Sequence, residues 1–176
     1  MKFDTICVQG AHKPAENRNT PPVPIYQTTA FSFDSVQYAA DLFDLKASGD
    51  IYTRLSNPTT NTLEERLAML EGGVGALAVS SGQSASLIAV LNIAKSGDEI
   101  VASTNMYGGT VNLMNVTLRK MGVETKFVSS DKAEDFEAQI TDKTRCIFVE
   151  MLNNPSLKIA DVENIAKVAH AHNIPL

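Results

Sequence analysis

From Gly75 onward, short apolar runs alternate with amphipathic stretches, and this alternation constrains the fold more than any other feature of the chain. The apolar runs are Ala76 to Ser80, Glu99 to Ser103, Val123 to Ser129 and Cys146 to Met151. The amphipathic stretches are Ser84 to Lys95, Thr110 to Met121, Ala133 to Gln139 and Asp161 to His172. Such short runs suit strands buried on both faces, and strand followed by helix, four times over, predicts right-handed crossovers and a parallel sheet. Helices then cover both sides of that sheet, so the expected fold class is α/β with three layers. Asn173 to Leu176 reads as a helix exit and the first residues of another buried strand. A strand stopped at its start leaves a sheet unfinished, so the sequence is expected to be a fragment or to be completed by another chain.

Residues 1–56 have a different texture. Lys13 to Pro24 holds four prolines among polar residues, which excludes regular helix or central strand and predicts an extended arm. A short amphipathic helix is expected from Ser35 to Lys46, with Tyr38, Leu42, Phe43 and Leu45 near one face and Gly49 ending it. Asn57-Pro58 is a helix start: Asn accepts from free amides as N-cap, and Pro suits the first helical position. That helix should run to Glu71 and stop at Gly72-Gly73.

Charge and cysteine content narrow the class of partner. Fifteen Lys and Arg against twenty Asp and Glu give a net charge of −5, and no basic run forms a track for a phosphate backbone. Nucleic acid is therefore not an expected partner. Cys7 and Cys146 lie far apart among apolar neighbours, which suits reduced thiols and a cytoplasmic protein. No signal peptide opens the chain and no apolar stretch is long enough to span a bilayer, so neither secretion nor membrane insertion is expected. His170 and His172, two apart on a predicted helix, point to different sides and make no metal site.

In a parallel sheet, ligands bind beyond the carboxyl ends of the strands, which directs attention to three loops. Ser80-Ser81-Gly82-Gln83 is a strand-to-helix turn whose amides could take an anion, or an ordinary turn of small residues. In Thr104 to Thr110, Tyr107 stands beside Gly108 and Gly109 and could stack on a flat ligand or pack within its own domain. Glu150 to Pro155 is the third loop on the same edge. Separately, Tyr52 and Arg54 fall on one face of an extended segment, where phenol and guanidinium could grip a phosphate or form a solvated pair.

These segments together resemble the N-terminal part of the Cys/Met-metabolism family of pyridoxal-phosphate enzymes, and within it the O-acetylhomoserine sulfhydrylases. The resemblance rests on Pro22 to Thr29, on Ile51-Tyr52-Thr53-Arg54 followed by Asn57-Pro58-Thr59, on Leu70-Glu71-Gly72-Gly73 with Ser80-Ser81-Gly82-Gln83, and on Tyr107-Gly108-Gly109-Thr110. Gln83 and Asn112-Leu113 are the features that look like sulfhydrylases. The resemblance implies a fold type I transferase domain, incomplete here, with residues 1–56 as an arm making contacts between subunits and residues 57–176 as the first half of the cofactor domain.

The same resemblance implies roles. Gly82 and Gln83 would give backbone amides to the phosphate of pyridoxal phosphate, Tyr107 would stack on its ring, and Asn154 would bond its phenolic oxygen. Tyr52 and Arg54 would reach the phosphate in a neighbouring subunit, with Tyr52 also close to the substrate. Tyr52 and Tyr107 are thus the catalytic candidates. The substrates implied are O-acetylhomoserine and sulfide or a thiol, and the assembly implied is a dimer with shared sites, paired into a tetramer. The family's cofactor-bearing lysine and its aspartate partner for the pyridine nitrogen have no counterpart here; Lys95 and Lys158 are expected at the surface, and the chain alone is expected to be inactive. Alternatives are another family member, such as a cystathionine synthase or lyase or a methionine γ-lyase, half of a split enzyme, or a non-catalytic interaction module.

Overall fold

A computed structural model describes residues 1–176. The chain divides into two compact units, Met1–Ala78 and Val79–Leu176.

The second unit is an α/β layer structure with a three-stranded parallel sheet in the order β2-β1-β3. The strands are β1 (Glu99–Ser103), β2 (Glu124–Val128) and β3 (Thr144–Phe148). The helices of this unit are α4 (Gly82–Ile93), α5 (Gly108–Asn112), α6 (Ala133–Glu137) and α7 (Val162–Ala171), and α5 continues as a π-helical stretch, Leu113–Leu118. Side-chain alternation along the central strand sorts the core into two faces. Ile100 and Ala102 of β1 pack with Val90, Met114, Leu118 and Cys146, whereas Val101 packs with Phe136, Ile147, Ile165 and Ala169. The first cluster joins the sheet to α4 and the π-helical stretch, the second joins it to α6 and α7, and helices therefore cover both faces as the alternation predicts.

Two apolar runs do not become strands. Ala76 to Ser80 enters no ladder: the amide of Ala78 is given to Glu64 Oε1 at 2.7 Å, and Leu77 is exposed. Periodicity registers only the capacity for burial, while a strand also needs a neighbouring edge to pair with. At the other end, Pro175 O accepts the amide of Ile147 at 3.0 Å and Ile174 packs on the second cluster, so residues 174–176 run beside β3 without forming a ladder.

Cys146 is buried in the sheet and burial pushes its thiol up to about 11; Cys7 is exposed and neither cysteine is paired. Cys7 is therefore expected to react with a thiol reagent in the native protein and Cys146 only after unfolding, as mass spectrometry of the labelled chain would reveal. No helix is long and apolar enough to cross a membrane.

Charge pairs secure the start of the sheet. The Arg145 guanidinium, 2.7 Å away, and then the Lys95 amide hold the Asp98 carboxyl below its ordinary 3.8; Lys126 and then Thr141 hold Glu99 below 4.5. Both folded-state values are depressed, so the stability they contribute is full above the usual carboxylate range and is lost as pH falls through the lowered values. Asp98→Asn is expected to leave a less stable protein at neutral pH whose unfolding midpoint in urea depends less on pH in the acid range.

The first unit holds α1 (Phe3–Gln9), α2 (Val36–Phe43) and α3 (Pro58–Glu71). Helix α3 starts and stops where expected: Asn57 caps it, Pro58 opens it, and Gly72 ends it in the left-handed region at φ 67°. Helix α2 is capped by Ser35 but ends at Phe43, before Gly49; Leu45 takes a left-handed φ of 57° and only Leu42 of the expected face is buried. Gly49 instead leaves room for Tyr38, whose hydroxyl would lie 2.5 Å from a Cβ there. Between Lys13 and Pro24 the only helical turn is the 3₁₀ segment Pro14–Glu16. Helix α1, where the sequence pattern predicts no helix, is held on α3 by Arg66, whose Nε donates to Gly10 O at 2.8 Å.

Candidate functional site

Helix α4 begins with an arrangement that leaves two donors free. The Ser81 hydroxyl accepts from the Ser84 amide at 3.1 Å and Ser81 O accepts from Ala85, so the amides of Gly82 and Gln83 are the ones without an intrahelical partner. With the helix dipole behind them, they favour an anion. Gly82 leaves the approach open, since a Cβ there would meet nothing within 4 Å. Gly82→Ala is therefore expected to leave the melting temperature unchanged while weakening binding of inorganic phosphate severalfold, measurable by calorimetric titration.

One hydrogen bond ties the neighbouring loops to this helix start and a second joins those loops to each other. The Gln83 side chain donates to Thr110 Oγ1 at 3.0 Å, joining α4 to α5. The Tyr107 amide donates to Glu150 Oε2 at 2.7 Å, joining the loop after β1 to the loop after β3. The three loops expected on one edge do meet there. Tyr107 caps α5 through its carbonyl, which accepts from Thr110 and Val111. The edge of its ring lies beside Gly109, where a Cβ would come within 2.5 Å of it, and Tyr107 is 51% exposed. Glycine at 109 is thus what lets the edge of the ring approach its own loop so closely.

The loop after β3 is built around Asn153, which is 4% exposed and accepts from the Ser156 amide and hydroxyl at 3.0 and 2.7 Å. Asn154, next in the chain, stands outside this pin and is exposed; its bond to Pro155 is cis. Lys95 is exposed, and Lys158, also exposed, faces Asp131 at 3.6 Å, as expected of surface lysines.

In the first unit, Tyr52 and Arg54 are brought together, but by a turn. Tyr52 O accepts from the Leu55 and Ser56 amides at 2.7 and 3.0 Å, so residues 52–56 fold back and the expected extended geometry does not occur. The Arg54 guanidinium carbon sits 5.4 Å from the Tyr52 ring centroid, and both side chains remain accessible. A planar cation against a phenol is well suited to an anionic ligand that also offers an apolar edge. Glu150, Thr110 and Asn153 lie in loops that the sequence marks, yet nothing in the sequence assigns any of them an individual role. Nothing in spacing couples Glu150 to Tyr107, because a contact across 43 positions exists only once the strands are parallel and adjacent.

Comparison with known proteins gives this geometry a setting. The model of the family described as Cys/Met metabolism PLP-dependent enzyme matches residues 4–176. A sulfhydrylase of Fusarium oxysporum is 47% identical over 176 residues, all of this chain and 41% of that protein. The O-acetyl-L-homoserine sulfhydrylase of Leptospira meyeri is also 47% identical over 176 residues, again the whole chain and 40% of the relative. Among solved structures, a Campylobacter jejuni protein assigned as an O-acetylhomoserine (thiol)-lyase superposes with a TM-score of 0.91 at 40% identity, over 99% of this chain and 43% of its own. That structure carries an N'-pyridoxyl-lysine-5'-monophosphate at position 205. The chain thus spans 40 to 41% of the length of the two curated relatives.

Proposed function

The chain belongs to the family of Cys/Met metabolism PLP-dependent enzymes, and from that premise we propose that it is part of an O-acetylhomoserine sulfhydrylase. The complete protein would be a transferase that converts O-acetylhomoserine and sulfide, or a small thiol, to homocysteine or methionine with release of acetate. The observation that carries this reading is the pair of free helix amides at Gly82 and Gln83, bonded through Gln83 and Thr110 to the loop that presents the Tyr107 ring. The donor set suits a phosphate on a flat heterocycle: two amides for the oxygens, open space at Gly82, and a half-exposed aromatic side chain.

Pyridoxal phosphate, when bound, supplies an electron sink for charge developing beside the substrate's amino group. The residues of this chain bind and orient. Gly82 and Gln83 would donate to the phosphate, Ser81 keeping the next amide occupied so that these two remain available. Tyr107 would lie against the ring, its backbone fixed by Glu150, and Asn154 would donate to the phenolic oxygen. Tyr52 and Arg54 would complete the phosphate site of a neighbouring subunit, with Tyr52 beside the substrate, which makes the active species at least a dimer and, with pairing of dimers, a tetramer. The unpaired cysteines suit a reducing compartment, and the enzyme is assigned to the cytoplasm.

The test is the full-length protein loaded with pyridoxal phosphate and offered O-acetylhomoserine with sulfide or with cysteine. Homocysteine is expected to form at least about tenfold faster than cystathionine, a preference of about 1.4 kcal/mol between transition states. Faster cystathionine formation would reassign the enzyme within the family. An unchanged spectrum on adding the cofactor, with neither product, would leave a non-catalytic interaction module.

A further inference from the structure

The proposal that Tyr52 and Arg54 hold a phosphate raises the question of what holds them, since both side chains are exposed on a turn. Beside that turn lies Asn57, 3% exposed. A buried primary amide must spend its polar atoms on partners, and Asn57 does. Its Oδ1 accepts from the Thr59 amide at 2.9 Å; its Nδ2 donates to Tyr26 O at 2.9 Å and to Thr53 Oγ1 at 3.1 Å. The orientation of the amide is dictated by partners of fixed character, a backbone N–H on one side and a carbonyl on the other.

These bonds join three separate stretches. Thr59 belongs to the first turn of α3; Tyr26 lies in the extended arm; Thr53 stands between Tyr52 and Arg54. Thr53 is itself pinned on every polar atom that faces the arm: its amide donates to Thr29 O at 2.9 Å and its hydroxyl donates to Thr28 O while accepting from Asn57. The arm is secured a second time by Thr59, whose hydroxyl accepts from the Tyr26 amide at 2.9 Å and donates to Pro24 O at 3.1 Å. The backbone that carries Tyr52 and Arg54 is thus clamped between an arm and a helix start, with one buried side chain bonded to both.

We infer that Asn57 is a positioning residue for the Tyr52 and Arg54 phosphate grip, acting through Thr53. Helix capping explains only its Oδ1, because an aspartate or serine caps as well. The Nδ2 donors have no part in the cap, and they are what ties the turn to the arm. The inference rests on the phosphate reading of Tyr52 and Arg54.

The experiment uses the full-length protein with pyridoxal phosphate as probe, reading cofactor retention by equilibrium dialysis and the melting temperature of the cofactor-free form. Asn57→Asp keeps the cap and loses both donors; Thr53→Val removes the hydroxyl and nearly keeps the shape; Thr53→Ser restores it. Loss of two neutral hydrogen bonds predicts that Asn57→Asp weakens retention about tenfold or more, Thr53→Val less, and Thr53→Ser scarcely at all. In an Arg54→Ala background, Asn57→Asp should add almost nothing, since the grip it orders is already gone. A lowered melting temperature with retention unchanged in Asn57→Asp and Thr53→Val, or full additivity with Arg54→Ala, overturns the inference. Should Asn57→Asp not fold, Thr53→Val against Thr53→Ser decides the matter. If Arg54→Ala alone retains the cofactor, the phosphate reading is what fails; if it loses the cofactor while the Asn57 and Thr53 variants keep it, only the inference about Asn57 does.

Discussion

Arg54→Ala is expected to weaken retention of pyridoxal phosphate by about a hundredfold in the full-length protein, and Arg54→Lys by about tenfold. Hydrogen bonds to a charged partner contribute about 1.5–3 kcal/mol each, and a lysine keeps the charge but not the planar fork that can meet two phosphate oxygens at once. The stacking of Arg54 near the Tyr52 ring adds a second reason for the difference, because an ammonium cannot lie flat on a phenol in the same way. Equilibrium dialysis of the three proteins gives the ratio. If the grip serves a neighbouring subunit, mixing Arg54→Ala chains with Tyr107→Ala chains should restore part of the activity, since one site of each mixed dimer carries both defects and the other neither. Subunit exchange without recovery would place both residues in the same subunit's site.

Phe136→Ala is expected to have the largest effect on stability. Phe136 is 1% exposed and packs between the sheet face formed by Val101 and Ile147 and Ile165 of α7. Removing a buried benzyl group costs about 3–5 kcal/mol, part transfer and part cavity, against a total stability of about 5–15 kcal/mol for a domain. The urea midpoint should fall sharply, and Phe136→Leu should recover more than half of the loss. A midpoint that Phe136→Ala leaves unmoved would mean that α6 does not pack on the sheet as described.

How far the residues alone reach depends on whether a feature is decided locally. The start of α3 was legible to the residue because capping is a contact between positions two apart: Asn57 Oδ1 meets the Thr59 amide whatever surrounds them. The boundaries of β1 were legible because an apolar run at the sheet centre is buried on both faces, and every residue from Ile100 to Ser103 is. The family resemblance and its PLP-dependent chemistry were likewise readable from ordered motifs, and the match over residues 4–176 agrees. By contrast, Ala76 to Ser80 has the composition of a strand and is none, because pairing is a property of the edge that a run meets. Gly49 read as a helix stop, yet its lack of a side chain serves the Tyr38 hydroxyl that folds onto it.

Sequence by itself determined the α/β class, the helix starts at Ser35 and Asn57, and the candidate loops, since each follows from neighbours in the chain or from a period of two or 3.6. Tertiary structure alone decided that Tyr52 and Arg54 meet through a turn, that Glu150 fixes the backbone of Tyr107, and that Asn57 faces both the arm and the turn. The physical reason is one of range. A cap or a periodic face is satisfied within a few residues, whereas a loop carboxylate or a buried amide takes whichever donor or acceptor the packed strands and loops carry to it across the chain.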